Sequence, residues 1–439
     1  MPARSRTPRL LALLAAVLFA GLAGLTPAAA QGSRAYVLTL DGPLTPAQAA
    51  YLERALNQAQ GPQTEVIILQ LNTPGGDITL MQKMVSLIRS SQVPVVVFVA
   101  PRGALAGSAG TVVTLAGDAA AMAPETVIGA ASPVGSQGQN LDTTEQTKLK
   151  QALEAEVRTL AAQRSPQAIA LAQDAIETAK AATATEAHSA GLVDFLADDV
   201  PNLLRQLDGF SLTMNGQHRT LHTLGLEVVP LDMNILESVL DFLTNPNVVF
   251  VLLALGAQAL LIELSNPGRW VAGVIGAVSL SLAFYGLGVL PVNWFGLIFI
   301  GLAFVRFILE VHATAHGALA ATGTASLVVG ALVLFNSPGS PDFFRVSVPL
   351  VVATSLVIAL MFVVLLTFAL QAQRRPAAVG IENLIGREGE MRSPESIQVA
   401  GELWSAVPAD SGDIKLEPGQ RVVVAAVRGL KLLVRPKKV

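Results

Sequence analysis

Between residues 248 and 370 the chain carries five apolar stretches, roughly Val248 to Leu264, Trp270 to Leu290, Phe295 to Val311, Gly317 to Phe335 and Val348 to Leu370. Each is near the length that crosses ~30 Å of hydrocarbon as an α-helix. Lipid offers no hydrogen-bond partner to a backbone, which commits this region to membrane helices. Composition agrees: 52% of residues are apolar, 14% are charged and the mean hydropathy is +0.54, too apolar for one soluble globule. Trp270, Trp294 and Tyr285 fall near the expected interfaces or within a span. Glu263, Arg306 and Glu310 lie near expected helix ends, where snorkelling or an Arg306–Glu310 pair at helical spacing accounts for them.

The N-terminus reads as an export signal over residues 1–30, with Arg4, Arg6 and Arg9 ahead of an apolar core from Leu10 to Leu25 and small residues at Ala28 to Ala30. With Ser33 outside the membrane, five spans leave the C-terminus inside. Arg269, Arg374 and Arg375 fit the positive-inside tendency, and Arg345 runs against it. The expected location is the cytoplasmic membrane, with residues 33–208 on its outer side.

Residues 33–208 alternate between strand and helix patterns, which implies a parallel sheet with crossover helices. Strands are expected at Tyr36 to Leu40, Val66 to Leu71, Val93 to Val99, Ala119 to Met122 and Val127 to Ile128. Helices are expected at Pro46 to Gln60, Ile78 to Ser90, Ser108 to Leu115 and Thr143 to Arg164. Residues 209–247 read as a connector, within which Met233 to Leu243 has the pattern of an amphipathic helix at a membrane surface. The membrane domain follows at 248–370. Residues 380–439 alternate short β-type runs with Gly and Pro turns, as in a small five-stranded barrel.

The chemistry concentrates in two segments. Leu69-Gln-Leu-Asn-Thr-Pro-Gly-Gly76 is an apolar strand ending in a turn whose backbone N–H groups can approach a ligand. Gly107-Ser108-Ala109-Gly110 sets one hydroxyl among small residues. Together they suggest an oxyanion hole beside a serine nucleophile. The chain has no cysteine, which removes thiol catalysis and disulfides. A serine needs a base, and no histidine occurs before His188, which reads as a surface or packing residue. His218 with His222 and His312 with His316 have i,i+4 spacing but no third ligand nearby, so neither a metal nor another cofactor is expected. Lysine is then the remaining base. It must be neutral, so its pKa must fall from about 10.4 towards 7–8, roughly 4 kcal/mol of differential stabilisation. Lys148, Lys150 and Lys180 follow the serine and Lys83 precedes it. The residues alone do not choose between Lys148 and Lys150.

These segments, with Ile128-Gly-Ala-Ala-Ser-Pro133 after them, resemble the NfeD-type membrane-bound serine proteases, relatives of Clp protease and signal peptide peptidase A. The resemblance continues through Glu263-Leu-Ser-Asn-Pro-Gly268, Leu290-Pro-Val-Asn-Trp294 and Gly401-Glu-Leu-Trp-Ser-Ala406. It implies a Clp/crotonase-like α/β protease domain, an α-helical transmembrane domain and an OB-type barrel. It implies a Ser–Lys dyad with Ser108 as nucleophile and Lys148 as base. Backbone N–H groups of Gly76 and Ala109 would receive the oxyanion, and Gly75 would shape the turn. Where Clp protease has its histidine the chain runs through Ala131-Ser-Pro133, and Ser132 and Ser136 are placed to orient the lysine. The expected partners are protein substrates, stomatin- or flotillin-like membrane proteins, and further copies of the chain.

Nucleic acid is not an expected partner. Trp404 is the lone aromatic residue between Gly380 and Val439, and the charges there nearly balance. Two other functions fit parts of the pattern. A non-catalytic scaffold could organise a membrane assembly, and a crotonase-like acyl-CoA enzyme would share the glycine turn. The export signal and the spans oppose the second.

Overall fold

The computed structural model describes residues 33–133, 142–214, 216–265, 270–312, 317–336, 342–374, 381–409 and 415–437. The export signal, Ser136, Arg269, Arg375 and His316 lie outside the described residues. One compact unit runs up to Ala359 and a second from Leu360 to Val439.

The first unit opens with β1 (Arg34–Asp41), α1 (Pro46–Ala59), β2 (Thr64–Asn72), α2 (Ile78–Arg89), β3 (Val95–Val99), β4 (Leu105–Gly107), α3 (Ala109–Ala116), β5 (Ala119–Met122) and β6 (Val127–Gly129). It continues through α4 (Thr143–Leu160), α5 (Pro166–Glu177), β7 (Ala181–Thr183), α6 (Ala184–Ser189), β8 (Phe195–Leu196), α7 (Val200–Leu207), β9 (Ser211–Met214), β10 (Gln217–Thr220) and β11 (Glu227–Pro230). Six strands form a parallel sheet in the order β11-β1-β2-β3-β5-β8. A smaller sheet of β4, β6 and β7 stands beside it.

The apolar runs Val66 to Leu69 of β2 and Val95 to Val99 of β3 follow from cover on both faces. Ile67, Leu69, Val95, Val97 and Val99 pack into one core under α1 to α5. Val66, Ile68, Val96 and Phe98 point the other way, onto Val200, Leu203, Leu204 and Leu207 of α7. Side chains also start the crossover helices. The Thr45 hydroxyl accepts from the Gln48 N–H at 3.1 Å ahead of Pro46, and the Asp77 carboxylate accepts from the Thr79 N–H at 2.7 Å.

Two pieces differ from expectation. The connector supplies β11, which extends the main sheet beyond β1 through pairs such as Arg34↔Glu227 and Val37↔Pro230. The long helix stops at Leu160, and a separate α5 begins at Pro166 behind a Ser165 cap.

After α8 (Ile235–Phe242) come α9 (Pro246–Ser265), α10 (Val271–Val289), α11 (Phe295–His312), α12 (Ala318–Phe335) and α13 (Val348–Arg374). The chain is a membrane protein. Among the described residues three helices are long and apolar enough to cross a membrane, at Pro246–Leu264, Val271–Val289 and Ala318–Phe335. α9 packs on α10 and α11 on α12 as hairpins, and glycines allow the backbones to close. A methyl at Gly276 would stand 2.9 Å from Gly256 O, and one at Gly330 would stand 2.8 Å from Ile300 N.

The acidic residues of these helices act as caps. Glu263 at the end of α9 accepts from the N–H groups of Trp270 (3.2 Å) and Gly273 (3.3 Å) at the start of α10. Glu310 near the end of α11 accepts from Gly317 (2.7 Å), Leu319 (2.9 Å) and Ala320 (3.0 Å) at the start of α12. Arg306 donates instead to Thr322 O at 3.4 Å. The first N–H groups of a helix have no intrahelical acceptor, and a carboxylate meets that need better than it meets one arginine.

The second unit holds β12 (Glu388–Ser393), β13 (Ser396–Val399), β14 (Glu402–Pro408), β15 (Arg421–Arg428) and β16 (Lys431–Pro436), closed into a barrel in the order β12-β13-β14-β16-β15. Met391, Ile397, Val399, Val422, Val424, Leu432 and Val434 fill it.

Candidate active site

The site is built from two reversals of the chain. β2 runs into Thr73-Pro-Gly-Gly76. Thr73 is fully buried and bridges to Ala106 of β4, with its N–H donating to Leu105 O at 2.6 Å and its carbonyl accepting from the Gly107 N–H at 2.9 Å. Its hydroxyl oxygen accepts the Gly75 N–H at 3.0 Å and closes the turn locally. Asn72 reinforces the junction by accepting from the Leu105 N–H at 3.0 Å and donating to Asp41 at 2.8 Å.

β4 then delivers Ser108 to the head of α3 with φ 53° and ψ −118°. A non-glycine residue in that region costs about 1–3 kcal/mol and persists only where its surroundings hold it. Here the Ser108 N–H donates to Gly129 O at 2.8 Å, and its carbonyl accepts from the Thr111 N–H at 3.0 Å. The buried Thr111 hydroxyl shares its proton between Ala106 O (2.9 Å) and Gly129 O (3.1 Å), and accepts the Gly129 N–H at 3.0 Å. α3 itself is buried along all eight residues. The serine is therefore aimed by a rigid frame.

The two reversals meet at Gly75, which has φ +119°. A methyl there would lie 2.7 Å from Ser108 Cβ and 3.2 Å from its Oγ. The Gly75 N–H is already bonded to Thr73. The Gly76 and Ala109 N–H groups have no protein acceptor among the described residues, and neither does the Ser108 Oγ. Two backbone donors are thus open, one next to Gly75 in the turn and one next to Ser108 at a helix N-terminus, where partial positive charge gathers.

The lysines do not meet this hydroxyl. Lys148 sits in the first half of α4 with an exposed side chain, and it makes no hydrogen bond to Ser108. Lys150 is more covered, at 18% side-chain exposure, and its Nζ donates to Glu177 O at 2.6 Å and stands 3.8 Å from Glu177 Oε1. The Glu154 carboxyl near Glu177 is pushed above its usual range, first by burial and then by that neighbouring carboxylate. Lys180 pairs with Asp174 at 3.0 Å and Lys83 with Glu53 at 2.8 Å, both at the surface. Ser132 is half-buried beyond β6. His188 is exposed on α6, and His218 and His222 lie on β10 and the loop after it rather than on a helix. Among the described residues no group of three or more His, Asp or Glu is placed to hold a metal ion.

Thr73 and Thr111 are the supports that sequence reasoning passes over. Each carried a faint local signal. Thr73 stands two residues before Gly75, the spacing of a hydroxyl turn, and Thr111 stands three after Ser108, in the first turn of a helix.

These features define a membrane protein with an α/β domain built on a parallel sheet, apolar membrane helices and a C-terminal five-stranded barrel. The chain belongs to the NfeD family. It matches the NfeD1b N-terminal domain over residues 34–208, the NfeD integral membrane domain over 247–368 and the NfeD-like C-terminal, partner-binding domain over 381–436. It is 32% identical over 411 residues to the membrane-bound protease PH1510 of Pyrococcus horikoshii, covering 91% of this chain and 92% of that one. It is 30% identical over 270 residues to the membrane protein NfeD1b of Bacillus subtilis, covering 59% of this chain and 57% of that one. Similar solved structures include the 1510-N membrane-bound stomatin-specific protease as a lysine-to-alanine mutant in complex with a substrate peptide, at 28% identity, TM-score 0.45, 48% of this chain and 98% of that one. ClpP1 from Listeria monocytogenes is similar at 15% identity, TM-score 0.32, over 38% of this chain and 94% of that one.

Proposed function

We propose that the chain is a membrane-anchored serine endopeptidase. Ser108 attacks the peptide carbonyl, and the Gly76 and Ala109 N–H groups take the charge that develops on its oxygen. The observation that carries this reading is the Ser108 hydroxyl held at φ 53° against Gly75, with those two N–H groups open beside it. The P. horikoshii relative, named a membrane-bound protease, supports the same assignment.

Lys148 is the base in this reading. It is carried by α4, which packs on α3, and its ammonium is not committed to another partner among the described residues. Lys150 is held by Glu177. Catalytic hydrogen bonds are often long before substrate arrives. The substrates are apolar segments of membrane-associated proteins, with stomatin- or flotillin-like proteins implied by the family and the barrel as the partner-binding element. The α/β domain lies outside the cytoplasmic membrane, the barrel lies inside, and the protease domain works as a dimer or larger assembly.

The exposed position of Lys148 favours a second reading, a scaffold without catalysis. A fluorophosphonate probe separates the two. It should label the wild-type chain and leave Ser108→Ala unlabelled, with peptide cleavage lost by on the order of 10⁴-fold or more in that variant. An unlabelled wild type, or a Ser108→Ala variant that cleaves as fast, overturns the protease reading.

A further inference from the structure

α8 presents a face that no described residue covers. Ile235, Leu236, Val239 and Phe242 are 86%, 66%, 46% and 63% exposed. They recur at the spacing of one helical stripe. The opposite face is bound to the protease domain. Glu237 receives the Arg54 Nε at 2.7 Å and Nη2 at 2.8 Å, and Asp241 receives the Thr45 hydroxyl at 2.8 Å. Arg54 also donates to Asp232 O at 2.8 Å ahead of the helix. An isolated amphipathic helix would turn its charges to water. This one turns them onto α1 and leaves its apolar side outward.

What covers that side follows from chain continuity. Three residues, Leu243 to Asn245, separate α8 from α9, the first helix long enough to cross a membrane. Three residues reach at most about 10 Å, so α8 cannot leave the plane in which α9 enters lipid. An apolar face at that depth lies against the headgroup–acyl boundary.

The same contacts reach the candidate active site. Thr45, bonded to Asp241, also caps α1, and the N–H of the preceding Leu44 donates to Gly75 O at 2.9 Å while Leu44 bridges to Gly76. The oxyanion turn is thus two residues of chain from the helix that faces lipid, on the order of 10 Å.

We propose that α8 lies in the plane of the bilayer surface as a lipid-facing plate and holds the Gly75–Gly76 turn beside polypeptide emerging from that bilayer. Resting on the protease reading, the substrate class is then the extended juxtamembrane segment of a membrane-anchored protein. A helix still inside lipid cannot reach the turn, and a free soluble chain gains nothing from the plate.

The chain has no cysteine, so Val239→Cys provides a single site for a nitroxide label in the full chain, with Ser90→Cys on α2's exposed end as reference. In phosphatidylcholine vesicles the label at 239 should relax faster with oxygen than with a water-soluble nickel chelate, and the label at 90 the reverse. Equal nickel access at both sites overturns the proposal. So does a label at 239 shielded from both relaxants and spin-coupled to a second copy, which would make the face a protein interface. In a second arm, Ile235→Asp with Phe242→Asp should cleave a soluble peptide within about 2-fold of wild type and a vesicle-anchored peptide at least 10-fold more slowly. No loss, or equal loss on both peptides, overturns the substrate claim. A wild type that cleaves neither peptide would remove the protease reading, while the label depth still decides where α8 lies.

Discussion

Helices α3 and α4 both serve the candidate site, and they are held in opposite ways. All eight residues of α3 are buried, and the serine at its head is gripped by Gly129, Thr111 and Gly75. α4 buries only Leu153 and Val157 of its eighteen residues, and Lys148 in its first half is exposed. In the proposed mechanism the half of the site that would stabilise charge is preorganised in the core, where an electrostatic frame works best because it needs no rearrangement during reaction. The half that would move a proton in that mechanism is mounted on a lightly packed helix. The difference separates a fixed geometric requirement from an adjustable one.

The sharpest way to break this contrast is to remove each lysine. Lys148→Ala should lower kcat by roughly 10²–10⁴-fold, as loss of a general base does. Lys150→Ala, which removes only a tie to Glu177, should stay within a few-fold. The reverse order in single-turnover assays would move the base to Lys150. On the rigid side, Gly75→Ala forces a methyl to 2.7 Å from Ser108 Cβ at φ +119°. Cleavage should fall by at least about 100-fold, whereas Gly61→Ala, with open space around it, should leave the rate unchanged.

Thr111→Val tests the frame by stability. It leaves Ala106 O and Gly129 N–H without their buried hydroxyl partner. Thermal unfolding should report a loss of about 1–3 kcal/mol, and a neutral result would mean that α3 does not depend on this strut.

The smallest effect concerns the α1–α8 contact. Arg54 holds the Glu237 carboxyl below its ordinary 4.5. A depressed carboxylate contributes stability that is fully present above its unfolded value and is lost as pH falls through the lower folded value. Hydrogen exchange of α8 should therefore rise only below about pH 4.5. Glu237→Gln should flatten that acid limb. Burial pushes the neighbouring Asp241 upward, so its protonation relieves a cost and works in the opposite direction.

Much of the frame was legible beforehand. β3, β5 and the Val66 to Leu69 part of β2 are apolar runs because both sheet faces are covered, and such runs need no partner to be recognised. The five apolar stretches all form helices, and three of these are long and apolar enough, among the described residues, to cross a membrane. The helix starting at Ser108 and the Gly75–Gly76 turn show in small residues at the two places where chains approach. Other elements carry weak signals. β4 is three residues long, and β11 is four residues in a connector whose pairing with β1 depends on chain that is 193 residues away. The Ser165-Pro166 start of α5 is a proper helix signal that the longer α4 pattern obscures. The expected Arg306–Glu310 pair gives way because spacing alone does not reveal that Glu310 reaches the N–H groups of α12.

The sequence by itself determined the layers, the membrane helices and the identity of a serine beside a glycine turn. Those depend on local periodicity, residue size and backbone freedom, which are written residue by residue. Only the tertiary structure decided which hydroxyls brace Ser108, which N–H groups stay open beside it and where the lysines point. It also turned the charges of α8 onto α1 and its apolar side outward. Each of these depends on distant segments competing for the same hydrogen-bond donors and the same buried volume, and that competition is settled only when the chain packs.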